Sequence, residues 1–271
     1  MKITILGSGT SHGVPVIGCS CPVCRSPDSR DKRTRCSLLV RGNGGDQAVI
    51  DTGPEFRIQA LRARISSLDA VFLTHAHADH LHGLDDIRPL SRERAVPIYG
   101  NKETLDEFAL RFSYIFGQTQ QGGGKPRIET IAAEQPVQVG GLCFTPLPVK
   151  HGMLDILGWM GFEPRRGKGA KFVYITDCTS IGQDSLDRIA EGGPPDLFII
   201  GALRIRSHGT HFNFEQALSV AARTGARRIF LTHICHDHFH REIEQYCRDF
   251  LRVQNILAEM GPAWDGMEID L

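Results

Sequence analysis

Phe72-Leu-Thr-His75-Ala-His77-Ala-Asp79-His80 is the stretch on which the reading of this chain turns. With Ala70 and Val71 ahead of it, its opening is a short apolar run that predicts a buried strand over Ala70–Thr74. Four potential metal donors then follow within six residues, spaced by alanines small enough to let the larger side chains close round an ion. A divalent ion takes about four to six donors, and imidazole with carboxylate suits zinc, manganese or iron. Two histidines two positions apart can face one ion, whereas the adjacent Asp79 and His80 turn toward a second. An accidental polar loop is the plainer alternative, but unpaired buried imidazoles and carboxylates are costly. His82, just outside the pattern, reads as a surface or supporting histidine.

The motif has an echo. Phe230-Leu-Thr-His233-Ile-Cys-His236-Asp-His238 repeats six of the nine positions, again at the end of a predicted strand, Arg228–Thr232. Two related α/β halves, each delivering a histidine-bearing loop, would place those strand ends side by side. Other predicted strands are Lys2–Leu6, Ser37–Arg41, Gln47–Asp51, Pro97–Tyr99, Leu142–Val149, Lys171–Thr176 and Asp196–Ile200. Helices are expected over Pro54–Arg64, Lys102–Phe116, Gln183–Glu191, Phe214–Thr224 and His240–Arg252. The fourth opens on Asn213 with Gln216 three residues on, a capping-box pattern. So many strands exceed one ordinary α/β sheet. The stretch Gly117–Pro126 suits a mobile surface loop rather than a linker, so one domain spanning 1–271 is expected.

Composition narrows the function. The 271 residues are 41% hydrophobic and 23% charged, enough for a large core and against disorder. Lys plus Arg and Asp plus Glu both number 31, so no basic field of the kind a wide nucleic-acid surface needs is present. No apolar run reaches the roughly 18 residues of a membrane span, and the short apolar start reads as a strand; the expected location is cytoplasmic. The 12 histidines gather mostly at 75–82, 208–211 and 233–240. Cys19, Cys21 and Cys24 stand too close for free disulfide pairing, and in a glycine- and proline-containing loop they favour a structural zinc whose fourth ligand the spacing leaves open. Cys36, Cys143, Cys178, Cys235 and Cys247 read as small core or spare thiols. Gly7-Ser-Gly-Thr-Ser-His-Gly13 lacks the P-loop lysine and the dinucleotide spacing, and reads as a tight loop lining the site.

Together these motifs resemble the metallo-beta-lactamase superfamily, whose hallmark is HxHxDH after a strand and whose fold is an α/β class αββα sandwich of two similar halves. The resemblance, which covers essentially the whole chain, implies three further ligands at strand ends: His151 in PVKHG, Asp177 in VYITDC and His233 in FLTHI. One ion would take His75, His77 and His151, the other Asp79, His80 and His233, with Asp177 bridging. Such a pair, about 3.5–4 Å apart, activates a shared water as hydroxide for in-line hydrolysis. The cysteine loop combined with HxHxDH is similar to the PhnP-like phosphodiesterase branch. That branch implies His236 as the fourth structural zinc ligand, with Cys235 and His238 as competitors, and His211 as the general acid, with Asp79 also catalytic.

The expectation is therefore a metal-dependent phosphoric diester hydrolase using two divalent ions, manganese or zinc, and one structural zinc. Its substrate would be a small cyclic or linear phosphodiester, with no membrane partner and a homodimer as the candidate assembly. His208 would contact substrate phosphate; Arg204, Arg206 and the Arg165–Lys168 turn could too, but a solvated charge run is their ordinary reading. Rival readings are a nuclease resembling the tRNA 3'-end processing enzymes, which neutral charge and the cysteine loop disfavour, and a noncatalytic carrier like the pyrroloquinoline-quinone biosynthesis relative, which the complete ligand set disfavours. Thioester or lactam hydrolysis stays open, because the metal site does not set the bond cleaved.

Overall fold

A computed structural model describes residues 1–117, 124–165 and 169–271. Most of the 117–126 stretch, read above as a mobile loop, and Arg166 and Lys168 of the basic turn lie outside the described residues. The first half of the chain supplies β1 (Lys2–Gly7), β2 (Ser37–Arg41), β3 (Gln47–Ile50), β4 (Ala70–Phe72), β5 (Val96–Gly100) and β6 (Ile128–Ala132). The second supplies β7 (Val137–Val139), β8 (Leu142–His151), β9 (Leu154–Glu163), β10 (Ala170–Ile175), β11 (Ser180–Ile181), β12 (Leu197–Gly201), β13 (Arg228–Thr232) and β14 (Glu259–Pro262), before β15 (Glu268–Asp270) returns to pair with β1. The helices are α1 (Phe56–Arg62), α2 (Ala78–Leu81), α3 (Lys102–Arg111), α4 (Ser113–Phe116), α5 (Gln183–Ala190), α6 (Phe214–Arg223) and α7 (His240–Gln254). One sheet runs β15-β1-β2-β3-β4-β5-β6 and the other β11-β8-β9-β10-β12-β13-β14, with β7 beside β8. Apart from β15, each half of the chain thus builds one sheet, the arrangement the echoed motif predicts.

The sheets face each other across an apolar core that includes Phe72, Phe144, Trp159 and Phe172. The Phe72 ring stacks 4.1 Å from Phe144 and meets Trp159 edge-on at 4.8 Å, favourable geometries for aromatic pairs. The outer face of the first sheet packs against α1, α3 and α4, and that of the second against α5, α6 and α7. β10 and β12 are buried along their whole length, because helix and sheet cover both faces, and apart from Lys171 they read as apolar runs for that reason.

β9 is the chief strand that periodicity misses. Its sequence Leu-Asp-Ile-Leu-Gly-Trp-Met-Gly-Phe-Glu lacks alternation because two glycines make room for neighbours. A Cβ at Gly161 would fall 2.0 Å from the Phe172 ring, and one at Gly158 2.5 Å from Ile175. The short pairings β6, β7, β11, β14 and β15 carried no pattern distinctive enough to read. The expected helix Lys102–Phe116 breaks at Phe112, whose ring turns into the core against Phe108. The capping box forms as predicted, Gln216 N–H donating to Asn213 Oδ1 at 2.8 Å and Asn213 N–H to Gln216 Oε1 at 3.0 Å.

Candidate active site

The parallel pairings β3–β4 and β10–β12–β13 align their carboxyl ends, where open α/β sheets place ligands. Asp51, His75, Asp177 and His233 each stand just beyond such an end. Asp51, Asp177 and His233 have φ of 62°, 41° and 56°, a left-handed conformation that costs a non-glycine residue about 1 kcal/mol or more. Three strained residues at one place show that the surrounding structure fixes the backbone for the side chains it presents. The histidine-bearing segment after β4 is not all loop, as expected, but turns into the single-turn helix α2 directly after His77, which sends Asp79 and His80 to one side and leaves His77 on the other.

Hydrogen bonds set the ring orientations. Thr74 Oγ1 donates to Asp51 Oδ2 at 2.8 Å and so accepts from His75 Nδ1 at 3.0 Å, while His80 Nδ1 donates to Asp51 Oδ2 at 2.7 Å. His151 Nδ1 donates to the Thr210 carbonyl at 2.7 Å. Each bond places the proton on Nδ1 and turns a bare Nε2 inward. The donor atoms of His75, His77 and His151 lie within 4.8 Å of one another, as do those of Asp79, His80, Asp177 and His233. Asp177 joins the two groups: Oδ2 is 3.3 Å from His75 Nε2 and 2.6 Å from His80 Nε2, and Oδ1 is 2.7 Å from His233 Nε2. Asp79 Oδ2 stands 3.2 Å from His80 Nε2 and 3.7 Å from His233 Nε2.

The Nε2 atoms of His75 and His80 are buried without a hydrogen-bond partner. Lone pairs aimed at one another and at a carboxylate in a water-poor pocket call for positive charge between them, so the residues fit divalent cations. Electrostatics without a cation tell the same story. Burial pushes the Asp177 carboxyl up, but His233 and His80 outweigh it and hold it well below the usual range. Burial lowers His75, reinforced by His80, whereas His80 is driven up against its own burial by Asp177, Asp79 and Asp51.

His211 reaches the same centre, its ring 4.8 Å from both His151 and His233 and its Nδ1 3.4 Å from Asp177 Oδ1. His208 is exposed 5.0 Å farther out and accepts from the Thr210 N–H at 3.2 Å. Arg204 and Arg206 both point at Asp237, at 3.8 and 3.2 Å. His82 lies exposed against Phe112.

A separate cluster stands nearby. His236 Nδ1 is 3.4, 3.5 and 3.3 Å from the sulfurs of Cys19, Cys21 and Cys24. Ligands about 2.0–2.3 Å from a tetrahedral zinc are separated by roughly this much. The backbone N–H of Cys24 lowers the Cys21 thiol to about 6, toward the thiolate a zinc needs, whereas burial pushes the Cys24 thiol up to about 11. Of the competitors, Cys235 is outside the cluster and His238 packs on Phe214.

Asp51 is the residue that motif reading passed over as a strand end. Its signal was the pattern it shares with Asp177, an aspartate closing a buried apolar strand in Val-Ile-Asp51-Thr-Gly.

The chain matches the beta-lactamase superfamily domain over residues 47–234. It superposes on a crystal structure of a new diphosphatase from the PhnP family with a TM-score of 0.84 and 35% identity, covering 100% of this chain and 97% of that one. It is 38% identical over 239 residues to an octanoyltransferase of Porphyromonas gingivalis, covering 87% of this chain and 46% of that protein. It is 29% identical over 161 residues to coenzyme PQQ synthesis protein B of Methylobacterium radiotolerans, covering 55% of this chain and 49% of the other. The chain therefore spans about half the length of these two curated relatives. Among the described residues no helix is long and apolar enough to cross a membrane.

Proposed function

The chain belongs to the metallo-beta-lactamase superfamily and resembles PhnP, and from that premise we propose that it is a metal-dependent phosphodiesterase acting on a small cyclic or linear phosphodiester. The observation that carries this reading is the sharing of one carboxylate, Asp177, between two groups of inward-facing donors. His75, His77 and His151 would hold one divalent ion, and Asp79, His80 and His233 a second. When bound, such ions supply positive charge for phosphoryl oxygens and acidify water. The chain does the rest. Asp51, Thr74 and the Thr210 carbonyl fix the imidazoles of His80, His75 and His151 so that only Nε2 faces inward. Asp177, with two oxygens, spans both groups, and Asp79, kept ionised against its burial by His80 and His233, would serve the reaction as a charged ligand beside them. His211, beside the same carboxylate, would deliver a proton to the departing alkoxide oxygen. His208 would touch the substrate at the rim. Cys19, Cys21, Cys24 and His236 would hold a structural zinc that ties the amino-terminal loop to the segment following His233.

A small substrate is favoured over a polynucleotide because Arg204 and Arg206 are turned onto Asp237 and the net charge is zero. The octanoyltransferase likeness covers under half of that protein, and its named activity is not carried to this chain. The test is a metal analysis of the purified protein with a panel of cyclic and linear phosphodiesters. Turnover of a small diester that chelation abolishes and manganese or zinc restores is expected. Bound metal without turnover of any phosphodiester would overturn the assignment in favour of another bond or a carrier role.

A further inference from the structure

His233 differs from the other buried histidine donors. His75, His80 and His151 each have Nδ1 anchored by a hydrogen bond, but His233 Nδ1 is buried with no partner. Its ring is therefore aimed by the backbone, which sits at φ 56°. That conformation is held from two sides: Ala202 N–H donates to the Thr232 carbonyl at 2.8 Å and Cys235 N–H to the Leu203 carbonyl at 3.1 Å on one, and on the other Ile234 N–H donates to the Ser8 carbonyl at 3.0 Å and Thr10 N–H to the Ile234 carbonyl at 3.2 Å. The loop on that second side is the Gly7–Gly13 motif. Its amides are spent inside the protein, Ser8 N–H on Asp265, Gly9 N–H on the Thr34 carbonyl and Thr10 N–H on Ile234, so these three cannot cradle a phosphate.

Ser8 is in turn pinned by two buried charges. Asp265 Oδ1 accepts from both its N–H and its hydroxyl at 2.9 Å. Arg33, only 4% exposed, donates from Nη1 to Ser8 Oγ at 2.9 Å and to the Ala263 carbonyl at 2.6 Å, while Nη2 meets His240 Nδ1 at 3.1 Å. Its backbone pairs with Val14 on the far side of the loop. There is no slack for a shifted loop, since a Cβ on Gly9 would come within 2.9 Å of Arg33 Cβ. A guanidinium buried this deeply is expensive and persists where it fixes a geometry.

We propose that Arg33 and Asp265, acting through Ser8, are positioning residues for His233, taking the place of the hydrogen bond its ring lacks. The inference rests on the reading of His233 as a metal ligand. Ser8→Ala removes both side-chain ties at the smallest cost to folding, and Arg33→Lys keeps the charge while losing the fork. Stepwise cobalt titration of protein that keeps its Cys19–Cys21–Cys24–His236 zinc but has the histidine and aspartate donors emptied, followed by its visible spectrum, separates the two donor groups. Loss of second-sphere support costs about 10–100-fold in metal affinity, and this weakening is expected in one of the two steps only. It should vanish when Ser8→Ala is made on a His233→Ala background, because the two changes then remove the same interaction. Amide exchange on the same protein, zinc retained and the other donors empty, is the independent readout, with Ile234 and Thr10 exchanging faster and Thr74 unchanged. Equal weakening of both steps, an undiminished effect on the His233→Ala background, or unchanged Ile234 exchange would each overturn the proposal. A wild-type protein that binds no cobalt refutes the metal reading itself, while the exchange data still decide whether Ser8 holds the His233 backbone.

Discussion

His240 is held neutral in the fold, and replacing it should flatten the acid limb of the stability profile. Its ring is fully buried edge-on to Trp264, and burial first, then the Arg33 and Arg30 cations, push it down to about 3 from an ordinary value of 6.5. Glu244 Oε1 lies 3.3 Å from Nε2 and favours the charged form, but Nε2 finds no hydrogen bond there and the carboxylate is engaged by Arg30 at 3.1 Å. The Arg33 guanidinium at Nδ1 therefore decides the direction. An unfolded chain takes up the proton near pH 6.5 and the folded one only near 3, so the unfolded state binds more protons throughout that window and stability falls as pH falls. With these two values the loss from pH 7 to pH 5 is about 2 kcal/mol. His240→Asn keeps an acceptor where Nδ1 stands but cannot titrate. It leaves a cavity and so costs stability at every pH, but that cost is constant. Urea unfolding of both zinc-loaded proteins at pH 7, 6 and 5 measures the difference, from which acid loss at the metal ligands, common to both, drops out. Wild type should lose its advantage over the variant by about 2 kcal/mol on going to pH 5. A gap that stays constant within about 0.5 kcal/mol, a usual margin of additivity, would refute the neutral assignment.

Other expectations concern the site. Asp177→Asn should lower metal content and turnover together, measured by elemental analysis and phosphodiester hydrolysis; unchanged values in both would remove Asp177 from the bridge. His211→Ala should slow an alkyl phosphodiester by roughly 100-fold or more, the usual worth of a general acid, and a nitrophenyl ester far less, because the latter's leaving group needs no proton; equal losses would deny it the acid role. His236→Ala should release zinc stoichiometrically and lower Tm by more than about 5 °C, corresponding to more than 1 kcal/mol in a chain of this size, whereas His238→Ala should do neither. Retained zinc in the first variant would return the fourth ligand to the competitors.

Much of the site was legible because its chemistry is local. HxHxDH is contiguous, the cysteines sit within six residues, and Asp177 and His233 close apolar runs whose pattern announces buried strands. The sandwich was legible through the superfamily resemblance and the echo of β4 in β13. β9 was not, since its glycines answer to Phe172 and Ile175, residues that meet it only after folding.

The sequence by itself thus determined which groups are present and in what order, because donor type and strand period are written residue by residue. Only the tertiary structure decided which of them share an ion site and which merely support it. Cys19 and His236 are 217 residues apart and Asp51 precedes His80 by 29, yet each pair is in contact. Such pairings depend on the register of two sheets that Phe72, Phe144 and Trp159 bring face to face, and no window along the chain contains that information.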